Sequence, residues 1–180
     1  MQTQAIGRRE AARDQRPPLE NALWYAAQKS RQDMAAALEA CTDDFVLESP
    51  SFNVRLVGRE QNLKKMDEFF AAFPDYDVVS EHTALGEGCV VLTGRVRMTP
   101  SGPLLGLVTN GKRAEVPFSA MFETRGNLLS REVFLIDAVE LCAQTGLPLA
   151  IGARLLGKRL TSAPGAVKQL LANLLRRGRN

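Results

Sequence analysis

Apolar residues recur along this chain at two different periods, and the change of period falls near Pro74. Between residues 19 and 40, Leu23, Ala26, Ala27, Met34 and Leu38 suit helix in two pieces, with a break over residues 30–33 and Asp33 as the N-cap of the second. Residues 45–49 read as a short strand, 50–53 as a turn and 54–57 as extended chain. A helix is expected over residues 58–73, because Leu63, Met66, Phe69, Phe70 and Phe73 recur at spacings of three and four before Pro74 and Asp75 stop it. Beyond it the period becomes two, which predicts strands over residues 76–85, 89–99, 114–123 and 128–138, with hairpin turns at 86–88 and 125–127. Helices followed by a run of strands predict an α+β fold: a curved antiparallel sheet wrapped around N-terminal helices, forming a cone with a hydrophobic pocket.

The ends carry a different pattern. Residues 1–17 are polar and close on Pro17-Pro18, which suits a loose arm. After a short helix over 139–145 comes an apolar stretch at 149–156, then an amphipathic segment over 166–177 with Val167, Leu170, Leu171, Leu174 and Leu175 at helical spacing. The expected organisation is therefore an arm (1–17), one domain (18–147) and a C-terminal helical extension (148–180). That extension is expected to dock across the pocket mouth or on a second subunit, with membrane-surface attachment as the alternative.

Composition narrows the class. With 180 residues, 45% hydrophobic and a net charge of +3, the chain suits one globular domain. No stretch reaches the roughly 18 apolar residues of a membrane span, and the N-terminus lacks an apolar export core, so a cytoplasmic protein is expected. Basic residues gather at the ends (Arg8, Arg9, Arg13, Arg16; Lys158, Arg159, Arg176, Arg177, Arg179), where they read as solvated tails rather than a nucleic-acid surface. Cys41, Cys89 and Cys142 have no metal-ligand spacing and read as reduced core thiols.

Three segments, in order, carry a resemblance: LWYAAQKSRQDMAAALEACTDDFVLESP, VGREQNLKKMDEFFAAFPD and SGPLLGLVTNGKRAEVPFSAMFETRGNLLSREVFLIDAVELCAQTGL. Over residues 19–147 the chain resembles the SnoaL-like polyketide cyclase (ester cyclase) family of the nuclear-transport-factor-2-like superfold. The Gly-Pro-Leu-Leu-Gly loop and the last strand ending in Asp before Gln-x-Gly-Leu are its most specific parts. The resemblance implies a cyclase or isomerase of secondary metabolism that uses no metal or cofactor and acts on a hydrophobic polyketide or terpenoid-like substrate. It also implies one carboxylate as general acid/base and a homodimer formed through the outer sheet face.

The resemblance places that carboxylate at Asp137. Alternation puts Val133, Leu135 and Asp137 on one face of the last strand and Phe134 and Ile136 on the other, so Asp137 is expected among apolar neighbours that raise its pKa. Capping of the helix that follows is the other reading. His82, the only histidine, is a candidate to share a proton with Asp137. One of Trp24 and Tyr25 is expected to face the cavity, since neighbouring helical positions point about 100° apart. Phe52, Met66, Phe69, Phe70 and Phe73 supply apolar lining or core. Glu48 is a candidate rim group, and Ser119 and Met121 share one face of the adjoining strand. Leu135 and Val133 stand where family members carry aromatics, which implies a roomier, less stacking pocket for an aliphatic or terpenoid-like molecule. Epoxide opening, as an ether-forming cyclase or a hydrolase, is thus an alternative activity. Arg95 and Arg97 share a face and read as solvated unless one turns inward to clamp Asp137. A non-catalytic small-molecule-binding module is the third reading.

Overall fold

Pro18, at the first position of a helix where its missing N–H costs nothing, opens α1 (Pro18–Ser30) in the computed structural model, which describes residues 16–101 and 109–147. The helix ends at Arg31, and Asp33 caps the next one, α2 (Met34–Ala37), its carboxylate accepting from the Ala36 N–H. The expected break and cap are both present. A 3-10 turn (Leu38–Ala40) leads into β1 (Cys41–Ser49), a second (Pro50–Phe52) into β2 (Val54–Val57), and α3 (Gly58–Ala72) follows. Strands β3 (Asp77–Gly86), β4 (Cys89–Met98), β5 (Ala114–Arg125) and β6 (Leu128–Ile136) precede a short helix, α4 (Ala138–Thr145).

The six strands form one sheet in the order β2-β1-β6-β5-β4-β3. It is mixed, which corrects the expected all-antiparallel sheet: β1 lies parallel to β6, with Leu47 opposite Glu132. The remaining neighbours are antiparallel. Tight turns force antiparallel pairing, but β1 and β6 are joined by everything between them, so nothing local fixes their sense. Where β1 ends, Ser51 continues the pairing with its side chain: its hydroxyl donates to the Ile136 carbonyl at 2.7 Å and accepts from the Ile136 N–H at 2.9 Å.

The first helix packs on β3, β4 and β6, and α3 packs on β1 and β2, so the helices cover one face of the sheet. Along β5 and β6 every second residue is buried beneath them: Val116, Phe118, Ala120 and Phe122, then Glu132, Phe134 and Ile136. Tyr25 sits at the centre, its ring 5.5 Å from Phe45 and 5.6 Å from Phe122. Gln144 ties α4 to β5 by bonding the Glu115 N–H and carbonyl. The arm expected over residues 1–17 is anchored at its end, because Arg16 lies 4.5 Å over the Trp24 ring and bonds Asn21. Residues 1–15 of that arm, the Gly-Pro-Leu-Leu-Gly loop and the C-terminal extension lie outside the described residues. Among the described residues no helix is long and apolar enough to cross a membrane.

Gly94 is dictated by a bulge. The register of β3 and β4 shifts between Ser80 and His82, and this drives the Val79 carbonyl against the Gly94 Cα, where a Cβ would overlap the oxygen. Gly94→Ala is expected to destabilise the protein by about 3 kcal/mol or to prevent folding, whereas the same change at Gly88, whose side-chain position is open, costs about 1 kcal/mol through its positive φ. Urea denaturation of the two variants checks this.

Candidate functional site

Between α3, α4 and the strands β1, β2 and β6 lies a cavity of about 730 Å³. Leu47 and Leu56 come from the strands, Met66, Phe69 and Phe73 from α3, and Leu141 and Cys142 from α4. Arg55, Lys65 and Glu68 are exposed and mark the mouth, while Lys29, Leu47 and Tyr76 are buried and mark the inner end. Phe69 organises the wall, its ring 5.2 Å from Tyr76, 5.0 Å from Phe73 and 6.2 Å from Phe52. The volume falls in the range of small-molecule sites, and the wall is apolar apart from the groups at its two ends.

The inner end holds an ion pair. Lys29 Nζ lies 3.0 and 3.1 Å from the two carboxylate oxygens of Glu132, and the Tyr25 hydroxyl donates to Glu132 Oε2 at 2.7 Å. Tyr25, Lys29 and Glu132 are 0%, 3% and 1% exposed. The ammonium also lies over two rings, 4.8 Å from Phe134 and 5.0 Å from Tyr25. Burial and the neighbouring Glu132 charge push the Tyr25 hydroxyl well above its ordinary pKa, so it stays a donor through the physiological range. Tyr76 is shifted the same way by the same two causes. Sequence explains the cluster: Ala22, Tyr25 and Lys29 fall on one helix face, and Glu132 shares its strand face with Phe134 and Ile136. Among the described residues no group of three or more His, Cys, Asp or Glu side chains is arranged to hold a metal.

The model of the SnoaL-like polyketide cyclase family matches residues 20–145. The chain belongs to this family. Solved structures share its fold. One is a hypothetical protein with a ketosteroid-isomerase-like fold from Catenulispora acidiphila, in complex with trimethylamine, at 17% identity and a TM-score of 0.64 over 75% of this chain and 98% of that one. A candidate SnoaL-like polyketide cyclase from Jannaschia is 22% identical, with a TM-score of 0.64 over 74% and 97%. TerC, co-crystallised with polyporic acid, is 16% identical, with a TM-score of 0.61 over 72% and 98%. No curated protein matches the sequence.

The family's expected carboxylate is not in this cavity. Asp137 is exposed and caps α4, its Oδ1 accepting from the Val139 and Glu140 N–H groups at 3.0 and 2.9 Å. It does share a face with Val133 and Leu135, as alternation predicts, but that face is the outer one: Phe134 and Ile136 are buried and Leu135 is 44% exposed. The apolar neighbours are present, but Asp137 is exposed beside them rather than buried among them. Ser119 and Met121 lie opposite Leu135 and Val133 on this outer face, and Glu48 lies there too, bonded to Arg55 and Arg131, which hold its carboxyl below the usual range. His82 is exposed on the edge strand β3. Two strands separate β3 from β6, a distance of about 14 Å at ordinary strand spacing, so the structure does not bring His82 and Asp137 together.

Of the aromatic candidates, Phe52, Phe69 and Phe73 line the cavity with Met66, and Phe70 packs behind Phe69. One of Trp24 and Tyr25 was expected to face the cavity, but neither lines it: Tyr25 points into the core and bonds Glu132, while Trp24 donates to the Ala36 carbonyl. Positions 133 and 135 do not line the cavity; its rings come from Phe52, from Phe69 and Phe73 of α3, and from Phe134. Arg95 and Arg97 face outward beside Glu81 and Glu115, as expected of a solvated strand face. Lys29 and Glu132 were missed. Their signal was parity, since each charge falls in phase with buried neighbours on its own element.

Removing one partner of a buried pair leaves the other charge uncompensated, so Lys29→Met or Glu132→Gln is expected to cost about 3–5 kcal/mol, and the double variant to stay within about 2 kcal/mol of wild type. Denaturant midpoints of the three variants test this coupling. Asp137→Ala is expected to lower stability by about 1 kcal/mol and Asp137→Asn to leave it nearly unchanged, because Asn caps as well as Asp; thermal unfolding separates them.

Proposed function

We propose that this chain is a cofactor-independent cyclase or isomerase that moves a proton on an apolar carbonyl compound. The observation that carries the reading is an apolar cavity of about 730 Å³ with the Lys29–Glu132 pair at its inner end. Lys29, which lines the cavity, can pass a proton to Glu132 behind it, and the amine so formed can take the proton from the carbon beside a carbonyl, which leaves an ammonium beside a carboxylic acid. Its charge of +1 then balances the enolate, and returning the proton to another atom completes an isomerisation or follows ring closure. Water-poor walls strengthen that electrostatic balance. The aromatic rings of Phe69, Phe73 and Phe134 suit a substrate with flat, unsaturated parts, and the cavity orders a flexible one near its reactive fold. Assembly as a homodimer through the outer sheet face is supported by Met121 and Leu135, 37% and 44% exposed on adjoining strands.

A second reading, a non-catalytic binding module, is favoured by one observation: Glu132 is engaged by both Lys29 and Tyr25 and does not itself line the cavity. Deuterium exchange into 2-tetralone in heavy water, followed by proton NMR, distinguishes the two. The enzyme reading expects exchange faster than in buffer, a loss of roughly a hundredfold in the Lys29→Met, Glu132→Gln double variant, and retention in Asp137→Asn. Binding without exchange in the wild type supports the module instead.

A further inference from the structure

We infer that Lys29 is the group by which the cavity recognises its ligand, donating a hydrogen bond to the carbonyl oxygen of a neutral, otherwise apolar molecule. Glu132 and Tyr25 are positioning residues that hold the ammonium for this purpose. The inference rests on the reading of the cavity as a small-molecule site.

Lys29 is the only buried charged side chain that lines the cavity among the described residues; the other charged lining groups, Arg55, Lys65 and Glu68, are exposed at the mouth. Glu132 approaches the ammonium from behind, being absent from the cavity wall, and its two oxygens take the hydrogen bonds that the described residues offer Lys29. An ammonium has three donors, and the rings of Phe134 and Tyr25 flank it without accepting a conventional hydrogen bond. At least one N–H is therefore available on the cavity side. Tyr25 and Lys29, one helical turn apart, grip the same carboxylate, which fixes the direction in which the lysine can point.

Charge decides the kind of oxygen. Lys29 and Glu132 are already neutral as a pair, so a permanently anionic ligand would leave a net negative charge in an apolar enclosure, at a large desolvation cost. A carbonyl oxygen accepts the same hydrogen bond without that cost. A pure hydrocarbon would leave the donor unpaired. The site thus ranks ligands of one shape as ketone above hydrocarbon and above carboxylate.

Titration calorimetry on the full chain with 2-acetylnaphthalene, 2-ethylnaphthalene and 2-naphthoate tests this ranking. The ketone is expected to bind tighter than the hydrocarbon by on the order of tenfold, with the carboxylate weaker than the ketone. The infrared carbonyl stretch of bound 2-acetylnaphthalene is expected at lower frequency than in hexane. In the Lys29→Met, Glu132→Gln double variant the hydrocarbon affinity is retained, the ketone preference disappears and the stretch returns toward its hexane position. In Glu132→Gln alone the stretch broadens, a readout that a purely structural role would not move. Equal binding of ketone and hydrocarbon to the wild type, tightest binding of naphthoate, or a ketone preference that survives in the double variant overturns the inference while leaving the cavity reading in place. Failure of all three probes to bind folded wild type overturns both. If the double variant does not fold, an unshifted carbonyl stretch in the wild-type complex still overturns the assignment to Lys29.

Discussion

A lysine and a glutamate buried together impose a demand that apolar residues do not: each must find the other, in good geometry, or the fold carries an uncompensated charge. In this protein the demand joins the first helix to the last strand, since Tyr25 and Lys29 reach Glu132 across separations of 107 and 103 residues. The contact sets how α1 lies on the sheet, because both donors sit on one helix face and the acceptor projects from the inner face of β6. Hydrophobic packing around Tyr25, Phe45 and Phe122 tolerates small shifts; a three-group polar cluster in a dry setting does not. It is also the part of the core that opens onto the cavity. One interaction therefore orients the helix layer and gives the cavity its polar end.

The cavity is partitioned accordingly. Its mouth is rimmed by exposed charged side chains of β2 and α3, its walls are aliphatic and aromatic, and its inner end is an ion pair with no net charge. The outer face of the same sheet is of another kind: Glu48, Arg55, Arg131 and Glu123 form a partly exposed network that salt screens and water solvates. The two sides of β6 thus carry charges with unlike consequences. Those on the outside contribute modestly to stability, while Glu132 on the inside is costly to disturb and close to the space where a ligand fits.

Much of the architecture was legible from periodicity alone. The 3.6-residue period of α3 and the two-residue period of β3 to β6 are local consequences of how side chains project, and they require only knowledge of neighbours in sequence. The Asp33 cap and the break before α2 are likewise local, as is the cap at Asp137, where a short acidic side chain precedes a helix. Ordered family motifs identified the fold class. The parallel pairing of β1 with β6 was not legible, because no tight turn connects them, and neither was the anchoring of Arg16 on Trp24 at the edge of an otherwise polar arm.

The site divides along the same line. Which residues of β6 lie together follows from the pleat of a single strand, which puts Val133, Leu135 and Asp137 on one face and Glu132, Phe134 and Ile136 on the other. Which face looks into the core was decided only by tertiary structure, since it depends on where α1 and α3 settle, and they settle on the side of Glu132. That choice turned Asp137 out to solvent and to helix capping, and it turned Lys29 and Glu132 from two unremarked charges into the buried end of a cavity. Periodicity is a property of the chain; inside and outside are properties of what packs against it.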